Sequence, residues 1–344
     1  MNPVTLSILL MSLAIGTTVT LSSHHWLLAW IGLEINTLAI IPLLTKNFHP
    51  RAVEAATKYF LTQAAASALI LFSCLYNAWK TGEWGISCTV DSTATVLSIA
   101  LVMKLGLAPV HFWMPDVLQG VPLSTGLVLS TWQKIAPMAL LLQISQHINL
   151  FVLISVGLAS ILIGGWGGIS QTQVRKILAF SSIGHLGWTI VILKFSPQLA
   201  TFNFILYIVL TTAMFMSLMA LSSSNLTQIS TSWAKAPALT TSMVLVLLSL
   251  AGLPPLTGFS PKLLISLELV KQNTIFLMLL ISFASLLSLY FYLRLTYVIT
   301  LTLSPNTSNS LLMWRTLNKT HFPSVLNILA IFAFPLTPTM VLLM

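Results

Sequence analysis

The chain has 344 residues, of which 56% are hydrophobic and only 6% charged, and its mean hydropathy is +0.94, whereas a soluble domain is roughly 25% charged. This excludes a soluble globular protein and defines a polytopic membrane protein. The net charge of +9 is spread singly between apolar runs, which excludes a nucleic-acid-binding face, and the two cysteines, Cys74 and Cys88, form no CxxC or Cys/His cluster that could hold zinc or an iron–sulfur centre.

A helix that crosses a bilayer needs roughly 20 apolar residues. Such runs predict eleven helices in one all-α membrane domain covering 1–344. They lie near 3–22, 25–45, 52–79, 94–119, 123–146, 149–169, 174–194, 199–222, 238–271, 274–300 and 324–343. No Lys or Arg occurs before Lys46, so the first run reads as a retained helix rather than a secretory or transit signal.

Alternate loops separate by charge. Lys46, Arg51, Lys58, Arg175, Lys176, Lys235, Arg315 and Lys319 fall on one side, with Arg294 nearby, and only Lys80, Lys194 and Lys271 on the other. Basic loops are retained on the cytoplasm-like side, so an odd helix count puts the N-terminus there. Trp26, Trp79 and Trp84 fall near one predicted interface, and Trp233 and Trp314 near the other. The sequons at Asn225, Asn306 and Asn318 all fall on the basic side and are expected to carry no glycan.

Two runs are interrupted by helix breakers. In Lys104–Asp116, KLGLAPVHFWMPD, these are Gly106, Pro109 and Pro115; in Gly252–Lys262, GLPPLTGFSPK, they are Pro254, Pro255, Gly258 and Pro261. Proline lacks a backbone donor and obstructs the carbonyl four residues back, so both helices should break within the membrane. Broken helices in the two halves of a transporter mark an ion path, because the freed backbone groups must line a cavity or be buried in protein.

Lys104 precedes the first break, Lys262 follows the second, and Lys134 lies three residues before Pro137 on the helix between; Glu34 lies deep in the second helix. A charge at mid-bilayer opposes insertion by roughly 2.5–3.5 kcal/mol, so four oppose it by about 10 kcal/mol. A lysine deprived of water loses part of its preference for the charged form, while a nearby carboxylate restores it. Glu34, Lys104, Lys134 and Lys262 are therefore the expected proton-transfer groups, bridged by water, Gln63, Gln133, His185 and hydroxyls. The competing reading is that the lysines snorkel or sit in fixed ion pairs. His111 and His185 are possible relays, and each serves equally well as a packing residue; His111, which follows the break, can also cap a half-helix. Glu54, Lys58, Asp116, Glu268 and Arg294 lie nearer helix ends, where interfacial solvation accounts for them.

KLGLAPVHFWMPD, GLPPLTGFSPK, the intervening Lys134 and Glu34 in GLEIN together resemble the antiporter-like subunits of respiratory complex I, over nearly the whole chain. The resemblance implies two inverted repeats with two broken helices, shortened at the N-terminus as in the animal mitochondrial type. It matches Glu34 and Lys104 to the coupling pair of the first repeat, Lys134 to the connecting lysine and Lys262 to the lysine of the second broken helix. It implies a proton-translocating subunit without redox chemistry of its own, with NAD, FMN, iron–sulfur clusters and ubiquinone in other subunits. Neighbouring antiporter-like chains, other complex I subunits and lipids are the implied partners; the implied place is the mitochondrial inner membrane, with the N-terminus and basic loops in the matrix. The alternatives are a free-standing Na+(K+)/H+ antiporter, a haem or quinone protein, and a structural scaffold. Haem is disfavoured because His24, His25, His49, His147 and His321 fall in loops or at helix ends.

Overall fold

The computed structural model describes residues 2–46, 49–234, 236–301 and 322–339. Lys235, Asn306, Trp314, Arg315, Asn318, Lys319 and His321 lie outside the described residues. The fold is all-α and divides into two compact units, Met1–Ala159 and Ser160–Met344. Among the described residues, seven helices are long and apolar enough to cross a membrane.

In the first unit, α1 (Pro3–Ser22), α2 (Trp26–Leu44) and α3 (Pro50–Thr81) lead to the first broken helix, α4 (Asp91–Leu105) and α5 (Trp113–Gly120). α6 (Leu123–Ser130) and α7 (Trp132–Ile144) follow, and α8 (Leu150–Ile169) begins here. Helices α1 and α2 approach closely through glycine. A Cβ on Gly16 would lie 2.4 Å from Asn36 Oδ1, and one on Gly32 would lie 2.8 Å from the Gly16 carbonyl. His25 and His49 act as N-caps: their Nδ1 atoms accept from the backbone N–H groups of Leu27 and Arg51, each at 3.2 Å. The run expected to be one helix over 123–146 crosses as one span, Leu123–Ile144, with a kink at Thr131 that divides it into α6 and α7. Pro137 lacks an N–H and crowds the Gln133 carbonyl. Just upstream, the Thr131 hydroxyl donates to the Leu127 carbonyl at 2.7 Å.

In the second unit, α9 (Val174–Ile192), α10 (Pro197–Leu221) and the short α11 (Leu226–Ser230) precede the second broken helix, α12 (Pro237–Ala251) and α13 (Phe259–Lys271). α14 (Ile275–Leu301) and α15 (Phe322–Phe332) complete the described part. The run expected over 324–343 is interrupted after Phe332 by a 3-10 turn, Phe334–Leu336, where Pro335 obstructs the Ile331 carbonyl, and α-helical geometry resumes at 337–339.

The two breaks are built on one pattern. Gly106 and Gly252 both adopt left-handed backbone, φ +74° and +80°. Each closes its helix with paired reverse bonds: Gly106 N–H to Met103 O and Leu107 N–H to Val102 O, then Gly252 N–H to Ser249 O and Leu253 N–H to Leu248 O. In both, Pro109 and Pro255 follow the glycine by three residues, and Pro115 and Pro261 follow it by nine. Pro115 and Pro261, expected to interrupt their helices, instead occupy the first turns of α5 and α13, where an N–H has no helical acceptor.

Candidate proton-transfer site

In the first unit, Lys104 sits in the last turn of α4 and is buried to 6% exposure. Its Nζ lies 3.9 Å from Glu34 Oε1, presented by α2. Neither atom makes a hydrogen bond, while Glu34 Oε2 lies 3.4 Å from the Thr37 hydroxyl. Lys104 lines a small polar cavity with Asn36, Gln63, Gln133 and Lys134, closed by the rings of Tyr59 and Trp113. Its volume of about 10 Å³ is space for about one water. The amides are only partly satisfied: Gln133 Nε2 donates to the Asn36 carbonyl at 3.2 Å, whereas both side-chain polar atoms of Asn36 and Gln63 Nε2 make no hydrogen bond. Lys134 is fully enclosed by the same walls.

Two local features fix this chamber. The Trp113 indole N–H donates to the Met103 carbonyl at 3.2 Å, so α5 is tied back to the end of α4. The same ring covers Gly106, where a Cβ would stand 3.0 Å from it, and it meets Tyr59 edge-on at 5.7 Å. His111 lies in the break itself: its carbonyl accepts from Met114 N–H at 3.0 Å, and its ring packs 4.2 Å from Phe112.

In the second unit, Lys262 in the first turn of α13 reaches back across the break, and its ammonium donates to the Ala251 carbonyl at 2.7 Å. That carbonyl ends α12, where the helix dipole is negative and favours a cation. Lys262 shares a cavity with His185 and Ser181 of α9 and with Ser288 and Tyr292 of α14. The Tyr292 hydroxyl is 3.4 Å from His185 Nε2 and also contacts the Ser181 hydroxyl.

Glu34, Lys104 and Lys134 are thus brought together in one unit, with Gln63 and Gln133 as expected bridges, and Lys262 is joined by His185 in the other. Asn36, Tyr59, Trp113 and Tyr292 also line these sites, though sequence reading passed over them. A signal for Tyr59 was present: Ala55, Tyr59 and Gln63 recur at four-residue spacing, which places them on one helical face.

The chain as a whole has counterparts among known proteins. A family model described as NADH:quinone oxidoreductase/Mrp antiporter, TM, matches residues 23–288, and one described as NADH dehydrogenase subunit 2 C-terminus matches 289–341. NADH-ubiquinone oxidoreductase chain 2 of Aquarana catesbeiana is 68% identical over 344 residues, the full length of both chains. A chain of respiratory complex I from Thermus thermophilus with bound aureothin superposes with TM-score 0.80 at 27% identity, covering 95% of this chain and 78% of that one. A chain of the Mrp complex from Dietzia sp. shares the fold, TM-score 0.80 at 20% identity, over 87% of this chain and 61% of that one. Full-length identity to the complex I relative, with a family model specific to that subunit at the C-terminal end, separates the chain from free-standing antiporters of the same fold: it belongs to the NADH-ubiquinone oxidoreductase chain 2 family, the antiporter-like membrane subunits of complex I.

Proposed function

We propose that this subunit carries protons across the mitochondrial inner membrane through Glu34, Lys104, Lys134 and Lys262, driven by NADH oxidation and ubiquinone reduction in other subunits. The observation that carries this is the Glu34–Lys104 pair at the first helix break, with Lys134 in the same closed chamber. A pair at 3.9 Å without a direct hydrogen bond is held by charge alone, so a small displacement of α2 or a change of charge nearby weakens it. While the pair is closed, the carboxylate holds the proton on Lys104. When it opens, the buried ammonium loses its compensating charge and passes the proton through the amide-lined chamber toward Lys134. In the second unit the Ala251 carbonyl steadies the Lys262 ammonium, and Tyr292, Ser181 and His185 offer hydroxyl and imidazole groups for the next transfer.

The basic loops face the matrix in this reading, with Arg175 and Lys176 at the start of α9 among them. NAD, FMN, iron–sulfur clusters and ubiquinone belong to other subunits, and neighbouring antiporter-like chains and lipids are the contacts of the apolar faces. The test is proton translocation by the assembled complex in proteoliposomes, measured per NADH oxidised. Lys104→Met is expected to assemble into the NADH-oxidising complex and lower that ratio; an unchanged ratio overturns the reading.

A further inference from the structure

The first unit contains a second polar cavity, of about 130 Å³, lined by Arg51, Glu54 and Lys58 of α3 and by Asp116 and Gln119 of α5. Lys58 Nζ bridges Glu54 and Asp116, each at 2.8 Å. This cavity and the Lys104 chamber lie on the same two helices, in an order that the helices fix. Along α3, Ala55 lines the outer cavity and Tyr59, one turn on, lines the chamber, as does Gln63 a further turn in. Along α5 the order is reversed: Trp113 lines the chamber, and Asp116 and Gln119, one and two turns on, line the outer cavity.

The packing agrees with that antiparallel order. At one end a Cβ on Gly120 would stand 2.6 Å from the Arg51 carbonyl, and at the other the Tyr59 and Trp113 rings meet edge-on. The aromatic pair therefore stands between the two cavities. Asp116 also occupies the place in the first break, ten residues after the glycine, that Lys262 occupies in the second. A titratable side chain thus stands at this position of both broken helices.

From this arrangement we infer that the Glu54–Lys58–Asp116 cavity is the vestibule through which protons reach the Lys104 chamber, with Tyr59 and Trp113 as the barrier between them. The vestibule has space for several waters, and Glu54 and Asp116 offer carboxylates that exchange protons at its mouth, their charges balanced by Arg51 and Lys58. Because Trp113 rides on α5, and Asp116 of the same helix is clasped by Lys58, movement of that clasp moves the barrier. The inference rests on the proton path proposed above and adds its entrance.

The test places a removable plug in the vestibule. Gln119→Cys is introduced into the assembled complex in membrane vesicles and labelled with a bulky methanethiosulfonate reagent, with wild type treated alike as the correction for other cysteines. Redox-driven proton translocation is compared before labelling, after labelling and after release of the label with reductant. Arg51→Cys, which lines the same cavity outside the triad, provides a second labelling position if the first variant fails to assemble. Thr57→Cys, on the exposed face of α3 at the same depth, is the control. The expected result is loss of proton translocation on labelling Gln119→Cys, recovery on release, and no change for labelled Thr57→Cys. Full translocation by labelled Gln119→Cys, where Lys104→Met has lowered it, overturns the vestibule and leaves the lysine path standing. Full translocation by Lys104→Met as well overturns the lysine path and the vestibule with it.

Discussion

The Lys104 ammonium stands 3.9 Å from Glu34 Oε1, and no hydrogen bond holds either atom. Their surroundings are unequal: the Lys104 side chain is 3% exposed and that of Glu34 26%. Removing one partner of a fully buried pair costs about 3–5 kcal/mol because the other charge is stranded. Lys104→Met strands a carboxylate that keeps the Thr37 hydroxyl 3.4 Å from Oε2, whereas Glu34→Gln strands an ammonium with no hydrogen-bond partner. Glu34→Gln is therefore expected to lower the thermal stability of the assembled complex more than Lys104→Met. Lys104→Arg separates a structural ion pair from a proton carrier, since a guanidinium keeps its charge but does not release its proton. Lys104→Arg is expected to retain assembly and lose proton translocation; retained translocation would show that the charge alone is needed.

Gly252 serves two constraints at once. Its φ of +80° is costly for any residue with a Cβ, and that Cβ would stand 2.8 Å from Lys262 Nζ and 2.9 Å from its Cδ. Gly82, at φ +75°, has nothing within 4 Å of the same position. Both alanine substitutions incur the left-handed strain, about 1–2 kcal/mol. Only Gly252→Ala also pushes Lys262 off the Ala251 carbonyl. The expected outcome is similar assembly for the two variants and a large loss of proton translocation for Gly252→Ala alone. Equal translocation by both would mean that the position of Lys262 is not critical.

Both helix breaks were legible in the sequence because glycine and proline act through local backbone chemistry. Glu34, Lys104, Lys134 and Lys262 were legible because a charge in an apolar run is costly wherever the fold places it. The kink at Thr131 was not, since a single proline within a helix does not say where the chain bends, and Pro137 lies six positions after Thr131. The roles of Pro115 and Pro261 were misread for the same reason: the first turn of a helix tolerates proline, and only the structure says where the turn begins. Asp116 and Lys58 looked like separate interfacial charges. Their ion pair joins residues 58 apart in sequence, a relationship that no periodicity encodes.

Tyr292 links Ser181 and His185 beside Lys262 through its hydroxyl, while its ring is packed against Phe291 at 4.2 Å. Tyr292→Phe removes the hydroxyl and keeps the ring, so packing should be preserved. Assembly is expected to be unchanged, with proton translocation per NADH oxidised lowered. A hydroxyl that relays protons also contributes to the solvent deuterium isotope effect on translocation, and Tyr292→Phe should alter that effect. An unchanged ratio and isotope effect would reduce Tyr292 to a packing residue.

Lys58 bridges Glu54 and Asp116 from a partly exposed position, with side-chain exposures of 42%, 62% and 43%. Ion pairs in such surroundings are screened by water and salt and add little to stability. Lys58→Met is therefore expected to leave the melting temperature of the assembled complex nearly unchanged. Its effect should appear in transport, because the substitution leaves two carboxylates facing each other at the mouth and frees α5 from its clasp to α3. High salt should move the wild-type enzyme in the same direction by weakening the same pairs, and Lys58→Met should respond less to added salt. A melting temperature that falls sharply with transport per assembled complex intact would identify the triad as a structural staple rather than the hinge of a proton entrance.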